Sequence, residues 1–578
     1  MKRRISKGQR GEWRPRRHGT CGSHVAALAL LAGLLGPTAV QVAVADAQTS
    51  RGGAWRFVSQ PELNPPSVAV SVGRSTAPGQ VSGGTREAPS YLFLAPIKAY
   101  EHREPFVGYA GPEILEPNGT PVWEDPLRGL IKTGSTGYPR VAMDFHPTTY
   151  EGQPVLTWWQ GYISPQGFGN GYWVIMNEHY RTIATVRAPH GYATDFHAFH
   201  LTSAGTAYLF ASRLVKLSLH CCGGPSNGEL YDQVLLEVDV KTGQVVWQWD
   251  PLQHVPLRES YTAPPSSRPW DPYHFNSVSL GPGGNAIVSA RNTWAAYWVS
   301  RTTKQVFATL GGKRSTFRLG SGAHFAWQHD VRAQSGDEIS LFDDEAAPVE
   351  AKQSRGLVLA LDWAHRAVSV AHEYLLPRPA LAGSQGNVQL LPDGNYFVGW
   401  GQLPYFSEYS PTGTMTYEGA LSGPDESYRA FRGAWVGQPS EGPAAAAQTV
   451  PGGAVDIYAS WNGATGVAAW QLLAGSSKSA LSPVGRPVAR AGFETVLTDK
   501  SPTSYYAAEA LDAAGRALGT STAVSASAIA AHAIRASRLP TQIPRSQSPE
   551  PDQCTSAHSA CTMLLPATPI ASSARITR

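Results

Sequence analysis

Four side chains recur at matching places in the chain, and their chemistry suits the handling of a tetrahedral anion. His274 lies seven residues before the glycine-rich turn at 281–284, and Arg291 lies seven after it. His197 stands eight residues before Gly205, and His329 seven before Gly336. In an antiparallel hairpin, positions so related to the turn fall at the same open end. If those ends face one channel, three imidazoles and a guanidinium converge on its mouth. Imidazole, with an ordinary pKa of about 6.5, keeps a neutral nitrogen lone pair at physiological pH. A second, protonated imidazole serves as acid or hydrogen-bond donor. Guanidinium keeps its proton and offers a planar fork of donors. A sulfuryl or phosphoryl group in transfer needs mainly positioning and stabilisation of its equatorial oxygens.

Each piece has a plainer reading. A single strand histidine is more often a hydrogen-bonded structural residue, and Arg291 could simply pair with a carboxylate. The spacing of His197 and His200 would suit a metal, but no carboxylate-rich context surrounds it. What favours chemistry is recurrence, because each histidine occupies the same place in a different repeat.

The repeat itself is a pair of hairpins. One half has a glycine turn followed by an apolar strand, as at 280–290 (LGPGGNAIVSA) and 391–400 (LPDGNYFVGW). Looser copies begin at Thr202 and Gln334. The other half is strand, turn, strand, as at 236–249 (LEVDVKTGQVVWQW). Two hairpins make a four-stranded sheet, the unit of a β-propeller blade. The zone from about 55 to 445 has room for about six. A stack of β-sandwiches is the alternative. Residues 452–528 form a smaller β-rich unit with a buried-looking Trp470, read as a fibronectin type III-like sandwich. The expected fold class is therefore all-β: an approximately six-bladed propeller, a small sandwich, and a Ser/Ala/Pro-rich tail at 529–578 expected to be disordered.

Composition agrees, with 58 Gly, 45 Pro, 17 Trp and 23 Tyr but only 16% charged residues. Many short strands and tight turns fit this better than long exposed helices. A net charge of +4, part of it in a basic leader, does not point to nucleic acid or another polyanion. Residues 1–47 read as an export signal: a basic start, an apolar run from Val25 to Val44, and the small-x-small site Ala45-Asp46-Ala47. No later stretch is long and apolar enough to span a bilayer, so the mature chain is expected outside the cytoplasm and not inserted in a membrane. Four cysteines then remain, Cys221, Cys222, Cys554 and Cys561, compatible with disulfides in an oxidising compartment. They contain no CxxC pair, and neither a metal nor a cofactor is expected.

Seven short stretches, in order, carry a family resemblance: PVLTWWQG at 154–161, DFHAFH at 195–200, HFNSV at 274–278, SARN at 289–292, WQHD at 327–330, QSR at 353–355 and QGN at 385–387. Together they resemble the arylsulfotransferase family, in the branch found in secreted proteins of Gram-positive bacteria and fungi. The resemblance runs from about Phe57 to Pro439. It implies a six-bladed propeller that moves a sulfuryl group from a phenolic sulfate ester to a phenol through a sulfohistidine. No nucleotide sulfate donor would be used. By motif match, His329 resembles the histidine that carries the group. His274 and Arg291 resemble the residues that hold the sulfate and assist proton transfer, and His197 the remaining channel histidine. Periplasmic members of the family begin with a small sandwich, whereas here the sandwich-like unit is C-terminal. Trp158, Trp159 and Tyr273 are candidates to stack on an aryl ring or to pack between blades. Two other readings stand beside this one: a non-catalytic cell-surface propeller that binds a polysaccharide or protein, and a quinone-dependent dehydrogenase propeller. The latter lacks its repeated Trp motif and a calcium-ligating carboxylate cluster.

Overall fold

The computed structural model describes residues 53–72, 90–98, 106–133, 136–164 and 167–528. The expected leader at 1–47 and the tail at 529–578, with Cys554 and Cys561, lie outside the described residues. Among the described residues the regular elements are strands, joined by a few single 3-10 turns, with no α-helix. None of them forms a helix long and apolar enough to cross a membrane.

Six sheets make up the larger part, antiparallel except where the short strand Arg318–Leu319 pairs in parallel with the outer edge of the fourth. Five begin with the strands Val141–Tyr150, Ala193–Leu201, Phe275–Leu280, His329–Ala333 and Asn387–Leu390, and each continues outward through the next three strands of the chain. The sixth begins with Phe431–Ala434 and is completed by Ser90–Leu94, Glu113–Leu115 and Pro121–Glu124 from the N-terminal side. Another early strand, Val68–Val72, is added to the outer edge of the fifth sheet. The first strands neighbour one another in order, and Phe431–Ala434 also lies against Val141–Tyr150.

Each gap between successive sheets holds its own apolar core. Trp159, Trp173, Phe199 and Leu236 fill the gap between the first and second sheets. Phe210, Trp249, Val278 and Tyr297 fill the next, and the pattern continues to the sixth and first sheets, where Phe93, Phe145 and Trp158 meet. Adjacent strand residues point to opposite faces, so Trp158 and Trp159 serve two different gaps. Both are essentially inaccessible, as is Tyr273, whose hydroxyl donates to the Val255 carbonyl at 2.6 Å. These three aromatics are packing residues. Burying each side chain of this size contributes about 2–3 kcal/mol.

The first strands are irregular where they approach the middle. Their pairing shifts between Met143 and His146, Thr194 and Phe199, Phe275 and Ser277, and His329 and Arg332. Asp144, His274 and Asp330 adopt left-handed backbone there, with φ of 57°, 52° and 54°. Such bulges re-aim side chains that regular pleating would send into the neighbouring gaps.

The C-terminal described part is two four-stranded sheets. One contains Ala444–Thr449, Val455–Ser460 and Glu494–Asp499, and the other Ala469–Ser477, Ala480–Ala489 and Tyr505–Leu511. They share a core of Ile457, Trp470, Leu497 and Tyr506. This unit is fastened to the larger part. Asn462 accepts from Glu124 N–H at 3.0 Å and donates to its carbonyl at 2.9 Å, and Glu494 accepts from the Ser59 amide at 2.6 Å.

Candidate active site

Of the three histidines singled out in the sequence, His274 and His329 sit at the starts of first strands and His197 within the irregular stretch of one, and each is backed by a carboxylate. His329 Nδ1 lies 2.8 Å from Asp344, His197 Nδ1 2.5 Å from Asp195, and His274 Nδ1 2.5 Å from Asp271. A carboxylate on Nδ1 keeps the proton on that nitrogen and leaves Nε2 for chemistry. At His329 the second nitrogen identifies itself: Nε2 accepts the backbone N–H of Gln385 at 3.2 Å. It therefore carries a lone pair. Burial pushes the His329 imidazolium well below its ordinary pKa, and the nearby charge of Arg291 pushes the same way. His329 is a neutral imidazole held in one tautomer.

His197 and His274 come together, their rings 4.6 Å apart and nearly perpendicular. Burial lowers His197 in pKa, opposed by Asp195. The side chain of His274 is 16% exposed, against 2% for His197 and His329, so it is the member of the trio with access to solvent protons.

Arg291 follows the strand Ala286–Ala290, and its backbone N–H donates to the His274 carbonyl at 3.0 Å. Its guanidinium donates to the Gly383 carbonyl at 3.0 Å and to Asn292 Oδ1 at 3.3 Å, and lies 4.9 Å from the Trp327 ring centre. Burial of the guanidinium disfavours its charge, while Asp344 and Asp271 favour it. The same segment that receives Arg291 at Gly383 donates to His329 from Gln385, so residues 383–385 join the two groups. Burial raises Asp344 in pKa, and Arg291 opposes that rise. Trp327 and Gln385 are also left-handed, with φ of 59° and 74°.

Beneath this group lies a fully buried arginine. Arg429 pairs with Asp144 at 2.8 Å and Asp330 at 3.2 Å, and donates to the carbonyls of His197 at 3.0 Å and Asn276 at 2.8 Å. It thus ties together the first strands of four sheets. The aspartates hold its charge firmly, and Asp144 is lowered by Arg429 against the effect of its burial.

Sequence reasoning found the three histidines and Arg291 but gave no role to Asp195, Asp271, Asp344 or Arg429. Asp195 and Asp271 stand two and three residues before their histidines, a spacing that a search for carboxylate–imidazole pairs would have caught. Asp344 directly follows the partner strand of the hairpin, Glu338–Asp343, and Arg429 comes from a distant loop, so neither announces itself locally. His200 does not join the trio; it lies within the fields of Arg332 and His146. Among the described residues no cluster of histidine, cysteine and acidic groups could hold a metal ion. Cys221 and Cys222 are free thiols with sulfurs 2.8 Å apart.

A cavity of about 250 Å³ opens beside His274, Arg291 and Asp271. A larger one, about 520 Å³, lies between the sheets and the C-terminal unit and touches none of the three histidines. Size alone would select the larger cavity; His274 and Arg291 select the smaller, although His197 and His329 are buried and do not line it.

A search of curated proteins returned no match. Among solved structures, a protein of unknown function from Bacteroides caccae is 10% identical, with 60% of this chain and 99% of that one covered and a TM-score of 0.36. Hydrazine synthase from Kuenenia stuttgartiensis is 10% identical, with 55% and 66% covered and a TM-score of 0.22. Virginiamycin B lyase from Staphylococcus aureus is 7% identical, with 56% and 82% covered and a TM-score of 0.22. Similarities this low say nothing further about this chain. A family model is more informative: residues 146–421, which include all three histidines, Arg291 and Asp344, match the one described as Arylsulfotransferase (ASST).

Proposed function

We propose that this protein is an exported aryl sulfotransferase, a six-bladed β-propeller over residues 55–445 that moves a sulfuryl group between phenols through His329. The family match over 146–421 supports the activity. The observation that carries the chemistry is the neutral His329, with Nδ1 on Asp344 and a lone pair on Nε2. The six sheets, with first strands side by side, support the propeller. In this reading 1–47 is a cleaved leader, 452–528 a fibronectin type III-like accessory unit and 529–578 a tail.

The reaction runs in two halves. His329 Nε2 attacks the sulfur of an aryl sulfate, forming an N–S bond as the bond from sulfur to the aryl oxygen breaks. Positive charge develops on the imidazole, and Asp344, on Nδ1, stabilises it. Arg291 donates to the sulfuryl oxygens, where charge spreads in the transition state. The Gln385 amide, which holds the lone pair at rest, is released to donate to the same oxygens. His274, nearest to solvent, gives its proton to the departing phenolate. Then an acceptor phenol enters, His274 takes its proton, and its oxygen displaces His329 from sulfur. No nucleotide sulfate donor or metal takes part.

The test uses purified protein with 4-nitrophenyl sulfate and a second phenol. Phenol release that depends on the acceptor, with a sulfuryl group trapped on a peptide containing His329 when no acceptor is present, is the expected result. Absence of turnover over a broad panel of aryl sulfates would reject the assignment.

A further inference from the structure

The cavity beside His274 and Arg291 is lined by a second guanidinium that the transfer chemistry does not use. Arg268 is exposed, and among the described residues it has no hydrogen-bond or ion-pair partner. Asp271 is the sole acid lining this cavity, and both its oxygens are engaged by His274: one accepts its backbone N–H at 2.9 Å and the other meets Nδ1 at 2.5 Å. Nearby Glu229 is paired with Lys216 at 3.3 Å. Arg268 is thus a cation with no internal counter-charge, at a cavity whose other cation, Arg291, belongs to the reaction centre.

The walls between them are aromatic. Trp270 is buried and fixed by its indole N–H on Thr262 at 2.9 Å. The Tyr231 ring is braced by Phe168, which is not itself a lining residue, with ring centres 4.0 Å apart, and Phe168 meets His274 edge-on. Tyr231 lines the same cavity as His274, Asp271 and Arg268. A volume of about 250 Å³ holds one substituted ring, since a cavity of roughly 150 Å³ already takes benzene.

We infer that the substrate of this site is a phenol bearing a carboxylate, and that Arg268 recognises that carboxylate while the phenolic oxygen faces His274 and Arg291. A guanidinium fork matches a carboxylate in two-point hydrogen bonding, and an unpaired one at a pocket rim gains most from it. The identity of the ligand as a phenol rests on the sulfotransferase reading; the recognition of its charge does not.

The experiment therefore has two arms. Calorimetry measures binding of 4-hydroxybenzoate and of its methyl ester to the full protein at neutral pH with no sulfate donor. Kinetics compares the same two compounds as acceptors with 4-nitrophenyl sulfate. The acid is expected to bind, and to lower KM, about five- to tenfold better than the ester, an advantage that shrinks with added salt. Arg268→Ala should erase the difference between acid and ester, and Arg268→Lys should keep part of it. Equal binding of acid and ester to the native protein, binding of neither, or a preference that survives Arg268→Ala overturns the inference. Charge-selective, Arg268-dependent binding without turnover on any donor would leave this inference standing and reject the sulfotransferase assignment. Turnover with no charge preference would do the reverse.

Discussion

Two histidine groups lie on or beside the first strands of the sheets. The first is His197, His274 and His329. The second gathers His200 and Arg332, each three residues past a member of the first, with His146 from another strand, about a cavity of about 250 Å³ that His146 and Arg332 line. Residue types are nearly the same, but the backing differs. Every histidine of the first group has a carboxylate on Nδ1 within 2.8 Å, whereas His146 offers its Nδ1 to the Asp144 carbonyl at 3.0 Å and has the Asp144 carboxylate, already held by Arg429, only at 3.8 Å. Among the described residues His200 has no such partner, and burial lowers it to a pKa of about 4. Asp330, the acid nearest Arg332, is already shared between Arg332 at 2.7 Å and Arg429 at 3.2 Å. Burial disfavours the charged form of His197 and His329 in the first group and of His146 and His200 in the second. Only a carboxylate makes a neutral histidine able to accept charge as it reacts. The lesson is that a cluster of histidines is defined chemically by what holds the other nitrogen.

The comparison can be broken most sharply at His329. His329→Ala should lower sulfuryl transfer by at least about 10³-fold, while His146→Ala should leave kcat within about twofold, both measured with one aryl sulfate and phenol pair. Equal losses from the two substitutions would erase the distinction. Next in size is Arg429→Met, which strands Asp144 and Asp330 without their shared cation. It should cost about 3–5 kcal/mol in urea unfolding, because a buried charge left unpaired is expensive.

Asp344→Asn probes the backing itself. The amide can donate to Nδ1 and turn His329 into the tautomer with its proton on Nε2, so kcat should fall about 10²- to 10³-fold with little change in unfolding midpoint. A substitution that unfolded the protein without altering the kcat of the folded fraction would make Asp344 merely structural.

The smallest effect concerns His200 and pH. Its folded pKa of about 4 lies below the ordinary 6.5, so the unfolded chain takes up a proton first as pH falls. The stability this histidine contributes is complete above about 6.5 and is lost progressively as pH drops toward about 4. His200→Gln should remove on the order of 1–2 kcal/mol of the stability difference between pH 7 and pH 5, read from urea midpoints. An unchanged difference would mean that other buried imidazoles, such as His146 and His197, account for the acid sensitivity.

Much of this was legible in the sequence, for physical reasons that differ by residue. The strands and their glycine turns are local: Gly205, Gly283, Gly284 and Gly336 are left-handed in the structure, as tight turns require. Hairpin arithmetic brought Arg291 beside His274 because that pair depends on one turn. It worked less directly for His197, which sits inside the pairing shift between Thr194 and Phe199 and is aimed by the bulge, not by regular alternation. The carboxylates lay further from view, since Asp344 reaches His329 across a hairpin from fifteen residues away. Arg429 was invisible, because its contacts with His197 and Asp144 span 232 and 285 residues of chain. The aromatic residues Trp158 and Trp159 were ambiguous for the opposite reason: strand alternation shows that they part company, but not what each one meets.

The sixth sheet is stitched from early strands and the last strand of the larger part, with Arg432 reaching Ser90 across 342 residues. Contacts so distant in sequence form late, after most of the entropy of joining the ends has been overcome. Arg429 stands two residues before that last strand begins. A nascent chain therefore already carries every histidine of the trio while lacking the clasp that gathers their strands, and competence arrives in a single closing event instead of growing with length.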